Sequence, residues 1–218
     1  MTRRVAFFCL AFPVLIALLF SGLAAAQELK PIQLPPPQTD GGKPLMQALK
    51  ARQSTREFGA EKLSLQVLSN LLWAADGINR PDGRRTAPSA SNWQETEIYV
   101  ALPDAVYVYD PKGNALKPVV AGDLRGETGT QPFVGQAALN LVYVADTTKA
   151  AKAKPEERDF LLGADVGFIA ENVYLFCASE GLVAVVRASV PRDALAKRLQ
   201  LRPEQRITLA QSVGYPKK

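Results

Sequence analysis

Residues 51–59 read ARQSTREFG, and Arg52, Gln53, Ser54 and Arg56 put two guanidinium forks, an amide and a hydroxyl within five positions. These are groups that grip a dianionic phosphate, because arginine offers forked charged donors and serine a short neutral one. On spacing alone two readings stand: a solvated basic turn after a helix, or a phosphate cradle. A second polar stretch, APSASNWQ at 87–94, contains Pro88, Ser89, Ala90 and Asn92. Taken by itself it fits a capped Pro-Ser-Asn turn.

The residues that are missing narrow the chemistry further. The sequence has no histidine, so Ser-His-Asp and Cys-His triads, HExxH zinc sites and histidine bases are excluded. Of its two cysteines, Cys9 falls in the apolar N-terminal run and Cys177 stands alone in the rest. That leaves neither an internal disulfide nor a thiolate metal cluster once the N-terminal run is removed, and no metal site is expected. Neither a Walker A loop nor a G-x-G-x-x-G turn occurs. Any catalysis must be carried by something the protein binds.

The elements that would position these groups follow from the pattern. Arg3 and Arg4, an apolar run from Val5 to Phe20 and Ala24-Ala25-Ala26 have the layout of a secretory signal peptide over residues 1–26. The alternative is an uncleaved anchor over 5–26, the one case in which membrane contact is expected. The Arg3-Arg4 pair also echoes a twin-arginine signal, which leaves the export route open. Export, most simply to a periplasm, is the expectation. The formal charge of +5 includes both signal arginines, and the remaining excess is too scattered to imply nucleic acid.

Residues 27–43, with four prolines and two glycines in KPIQLPPPQTDGGK, read as an extended linker, and 44–218 as one domain. A short helix fits 44–51, with Leu45, Met46 and Leu49 on one face. Ser64 can cap a helix carrying Leu65, Leu68, Leu71, Leu72 and Ala75, which Gly77 stops. Trp73 on that helix reads as packing. Residues 77–94 form a long loop, and loops of that length in compact domains are functional or disordered.

TEIYVAL, AVYVYD and ALKPVV make an antiparallel meander, and NLVYVAD at 140–146 a buried central strand. A long helix is expected from about Pro155 to Ser179, its apolar arc including Phe160, Leu161, Ala164, Phe168, Ile169, Val173, Phe176 and Cys177. A strand, a short helix from PRDALAKRL and a last strand, RITLAQSVGYP, complete the chain. Helices and strands are mixed without strict alternation, which predicts an α+β fold.

RQSTREF, then APSASNWQ, then GADVGFIAENVYLFCASEGL and the closing VGYP together resemble the nitroreductase family of FMN-dependent oxidoreductases, from about residue 44 to 216. The stretch GINRPDGRRTAPSA is similar to the branch that includes SagB-like azoline oxidases. The resemblance implies a mostly antiparallel sheet flanked by helices, with FMN at the interface of a homodimer. It implies that Arg52, Gln53, Ser54 and Arg56 hold the phosphate and ribityl end. Pro88, Ser89, Ala90 and Asn92 would line the ring and ribityl chain. Gly181 and Leu182 would present backbone near flavin N5, where the family uses an amide hydrogen bond. Lys217, or Lys218, would replace the basic residues that many members place beyond the closing strand. Glu180 stands where the branch often has a small or apolar residue.

On this reading the flavin carries the redox chemistry, so no side chain is expected to be catalytic and the absent histidine costs nothing. The expected activity is alternating (ping-pong) transfer from an electron donor to a small-molecule substrate. Two other functions fit the same resemblance: a non-catalytic flavin- or ligand-binding envelope protein, and a SagB-like dehydrogenase acting on a peptide heterocycle.

Overall fold

The computed structural model describes residues 29–218. The expected signal segment, residues 1–26, lies outside the described residues. The elements run β1 (Ile32–Gln33), α1 (Leu45–Ala51), α2 (Leu65–Asp76), β2 (Thr96–Ala101), β3 (Ala105–Asp110), β4 (Ala115–Ala121), β5 (Leu139–Asp146), α3 (Pro155–Glu180), β6 (Val183–Arg187), α4 (Arg192–Arg198) and β7 (Gln205–Gly214). The strands form one sheet in the order β1-β4-β3-β2-β5-β7-β6, every pair antiparallel. This is the α+β fold that the mixed element order predicts.

All eight residues of β5 are buried, because it sits mid-sheet with cover on both faces. The pleat sends alternate side chains to opposite faces. Ile98, Val100, Leu139, Leu141 and Tyr143 meet α2 and α3, whereas Tyr99, Ala101, Val142 and Val144 meet the residues of and around α4. Ser64 Oγ accepts from Val67 N to cap α2, and Gly77 closes that helix.

One expectation is corrected and two are completed. First, the proline-rich stretch is extended but docked. Ile32 and Gln33 pair with β4, Leu34 is buried, and Ser69 Oγ donates to Pro35 O at 2.6 Å. At its end Lys43 N donates to Ser179 Oγ at 2.7 Å. Gly42, in the left-handed region at φ +77°, passes so close that a Cβ would lie 2.5 Å from Ser179 Oγ. Second, the apolar side chains of α1 point outward: Met46 is 75% exposed, Leu45 and Leu49 are exposed, and only Ala48 is buried. Third, the buried arc of α3 is Leu162, Asp165, Val166, Ile169, Ala170, Val173, Tyr174 and Cys177. Helical spacing turns Phe160 and Phe168 to the other side, where they are 74% and 47% exposed.

Candidate functional site

The two motifs dock at different ends of α3. Helix α1 ends at Arg52, whose N–H donates to Ala48 O at 2.8 Å. From there the chain runs along the outer edge of β6. Ser54 bridges Ala184 in parallel, and Thr55 N donates to Ala184 O at 3.0 Å. An edge strand has free backbone groups, so this addition is what the sheet can accept there.

Tyr174 fixes the segment from below. Its hydroxyl lies 2.8 Å from Ser54 Oγ and accepts from Val186 N at 2.8 Å, joining the segment to α3 and β6. The Arg52 guanidinium lies 5.4 Å from the Tyr174 ring centroid, a cation–π contact. Among the described residues, the Arg52, Gln53 and Arg56 side chains make no hydrogen bond or ion pair. Further on, Phe58 pairs with Pro216 and Gly59 N donates to Tyr215 O at 2.9 Å. This brings exposed Lys217 alongside the segment that carries Arg56. Three cations and a serine hydroxyl therefore share one edge, with no carboxylate paired to the cations among the described residues.

Gly181 and Leu182 adjoin this edge but do not supply the expected amide donor. Gly181 ends α3 in the left-handed conformation at φ 73°. Its N–H and that of Leu182 both donate to Cys177 O, the latter at 2.9 Å. Neither is free to reach a ligand, and Leu182 is buried. Both residues instead line a cavity of about 190 Å³ with Gln53, Thr55, Tyr174 and Ala184.

The second motif closes on itself. Ala90–Asn92 form a single 3-10 turn in which Ser91 and Asn92 have φ of 48° and 56°, followed by Gln94 at 49°. Three left-handed residues without glycine cost conformational energy and persist only where surroundings hold them. Ser89 Oγ accepts from Gln94 N at 3.0 Å, Lys149 Nζ donates to Gln94 O at 2.9 Å, and Ala90 N donates to Asp165 Oδ2 at 2.9 Å. Pro88 and Asn92 remain exposed and Ser89 and Ala90 partly so.

Beneath the turn lies a group of buried acids. Asp76 pairs with Arg85 at 2.5 Å, yet burial pushes its carboxyl up to about 7 against the pull of that arginine. Glu95 and Asp165 are buried around one small cavity, and burial raises both above the usual carboxylate range.

Tyr174 and Asp165 anchor the two motifs nine residues apart on α3. At about 100° and about 1.5 Å per residue, that is about two and a half turns, a net offset of about half a turn, and about 13.5 Å along the axis. The two anchors thus sit at opposite edges of the helix's buried arc.

Tyr174, Asp165, Glu95 and Lys149 were not singled out by sequence. A tyrosine and an aspartate inside an otherwise apolar helical arc are the available signal, because buried polar groups require partners.

Comparison with known proteins agrees with this architecture. The model of the Nitroreductase family matches residues 49–215. A protein named as a nitroreductase from Methanocaldococcus jannaschii is 30% identical over 144 residues, 62% of this chain and 73% of that one. A crystal structure titled as a nitroreductase of Ralstonia eutropha JMP134 is 43% identical, with a TM-score of 0.84 over 89% of this chain and 93% of that one. The NADPH:FMN oxidoreductase of Vibrio harveyi, solved with NAD+, shares the fold at 21% identity, with a TM-score of 0.59 over 80% of this chain and 69% of that one.

Proposed function

The chain belongs to the nitroreductase family, and from that premise we propose that it is an exported FMN-dependent oxidoreductase working as a two-fold dimer. The observation that carries this reading is the donor cluster at Arg52, Gln53, Ser54 and Arg56, in which the Arg52, Gln53 and Arg56 side chains make no hydrogen bond among the described residues, with Lys217 alongside. Its chemistry fits a phosphate dianion with a polar chain leading from it. In this reading those five residues hold the phosphate and ribityl end of FMN. The cofactor, when bound, supplies hydride and electron transfer at N5, so the protein needs no catalytic side chain of its own.

The opposed placement of the two motifs supports a site built by two chains. One copy offers the phosphate edge; the other offers Pro88, Ser89, Ala90 and Asn92 toward the ring. The outward apolar residues support the same assembly. Phe160 and Phe168 flank Gly163 and Gly167 on the open side of α3, and no atom within 4 Å would meet a Cβ at either glycine. Exposed apolar surface of this kind is normally covered, and a two-fold copy is the commonest cover.

The chain's residues bind and orient, so donor and acceptor take turns in one pocket. Export rests on residues 1–26, and it argues for a reductant other than the nicotinamide dinucleotides of the cytoplasm. The 77–90 stretch supports one narrower alternative, a dehydrogenase of peptide-borne azolines.

The test uses chain 27–218. It should purify yellow with one FMN per subunit, bleach with dithionite and recover in air. Turnover in a screen of reductants and acceptors separates an enzyme from a binding protein. A colourless chain that takes up no added FMN would end this reading.

A further inference from the structure

The turn at 88–94 is held by a pair of acids that the flavin reading does not use. Asp165 Oδ2 accepts the Ala90 N–H at 2.9 Å and so ties the turn to α3. The side chains of Asp165 and of the fully buried Glu95 line one cavity of about 10 Å³ beneath the turn. Glu95 Oε1 accepts from Thr96 Oγ1 at 3.1 Å, while Oε2 has no partner among the described residues. Neither carboxyl is in an ion pair there. Two carboxylates facing one such cavity, both out of water and without a paired cation, do not both ionise. A proton on Glu95 Oε2, donated to Asp165, removes the repulsion and satisfies the orphan oxygen together.

We propose that Glu95 and Asp165 share one proton, and that this proton positions the 88–94 turn for the flavin ring. Glu95 carries it and Asp165 stays ionised, a stronger acceptor for Ala90 N–H than a neutral carboxyl. Both are positioning residues: neither touches the ligand, and both act through the backbone of Ala90 and the left-handed residues after it. The charged groups around the pair are Asp76 on α2, Arg85 in the 77–94 loop and Lys149 after β5. Arg85 is engaged by Asp76, and Lys149 by Gln94 O. The cavity between them is about 10 Å³, room for at most a single water. Loss of the shared proton at alkaline pH puts two negative charges around one small buried cavity and loosens the turn. Addition of a second proton at acid pH weakens the grip on Ala90. The raised carboxyls of both residues agree with this order.

The inference rests on the reading of 88–94 as the ring-facing segment, and its test separates the two. FMN dissociation constants are measured from pH 5 to 10 on the dimeric chain 27–218 and on Glu95→Gln, which keeps a donor toward Asp165 but cannot ionise. The wild type should lose affinity at the alkaline end, by up to about tenfold per pH unit for one proton. The variant should match the wild type within about twofold at neutral pH, keep the acid limb and lack the alkaline one. In parallel, the emission of Trp93, which lies within the turn, is titrated without FMN in a Trp73→Phe background. It should show the alkaline transition in the parent and lose it with Glu95→Gln. Asp165→Ala should shift Trp93 emission at every pH and weaken FMN about tenfold. A Glu95→Gln variant with the wild-type alkaline limb in both measurements would overturn the proposal. A chain that takes up no FMN overturns the functional reading alone, and the Trp93 titration then decides this one.

Discussion

The two motifs of this site are built in opposite ways. The 52–59 segment lies on a sheet edge with its backbone anchored and its cationic side chains uncommitted. The 88–94 segment has left-handed backbone and directs its polar groups inward, to Ser89, Lys149 and Asp165. The first is shaped to hold a charge it does not itself contain. The second is shaped to hold a backbone conformation, which it does by burying acids. A region that recruits a ligand leaves donors free, and a region that presents a surface uses its donors up.

If the two regions meet only across a dimer, separating the chains should abolish FMN retention altogether. Phe168→Glu places a charge on the exposed face of α3, away from the buried arc, and should leave the fold intact. Light scattering should report a monomer, and the absorbance of the purified variant should show bound flavin lost. A monomer that keeps FMN in stoichiometric amount would return both motifs to one chain and break the comparison.

Within the first region the donors are the binding energy. Arg52→Ala and Arg56→Ala should each weaken FMN by about 1.5–3 kcal/mol, the worth of a hydrogen bond to a charged group. Unfolding temperature should hold for Arg56→Ala, because that side chain has no hydrogen-bond or ion-pair partner among the described residues to lose. Titration calorimetry with FMN checks both. Unchanged affinity in the pair of single variants would make the cluster a solvated turn.

The second region should reveal its buried charge through pH. Burial raises the Asp76 carboxyl from its ordinary 3.8 to about 7 in the folded chain. A folded state that holds its proton more tightly than the unfolded one is favoured at low pH. The contribution is therefore complete below about pH 4 and lost as pH rises through about 7, by at most about 1.4 kcal/mol per unit. Asp76→Asn is neutral throughout and should remove that slope. Urea unfolding at pH 4.5, 6 and 7.5 should show the wild type losing stability relative to the variant. A difference that does not change with pH would mean that Arg85 keeps Asp76 ionised.

How much of this was legible beforehand follows from where the determining forces lie. The strands from Thr96 to Asp146 could be read because alternation and β-branched runs are local, and the caps at Ser64 and Gly77 because they act within one turn. The docking of Ile32 and Gln33 on β4 could not, since two strand residues gain their order only from a partner more than eighty positions away. Which part of the wide apolar arc of α3 faces the sheet could not be read at Phe160 and Phe168, because hydrophobicity marks what avoids water without naming what covers it. The donors of the cradle were visible as residue types at short spacing. Tyr174, Glu95 and Asp165 were hidden, because their roles exist only once helix, strand and loop are brought together.

The smallest effect belongs to the cysteine beneath the first region. Cys177 is buried on α3, and that burial pushes its thiol far above the ordinary value, so no reactive thiolate forms. What the region takes from this residue is its carbonyl, which receives the N–H groups of Gly181 and Leu182. The sulfur contributes only packing, as a small apolar group. Cys177→Ala keeps the carbonyl and should therefore keep FMN content and turnover, at a stability loss on the order of 1 kcal/mol, typical of a small core truncation. Thermal unfolding, flavin absorbance and single-substrate turnover on the same preparation measure all three. A variant that binds FMN normally but no longer turns over would place thiol chemistry in the site, and the cradle would then be more than a set of uncommitted donors.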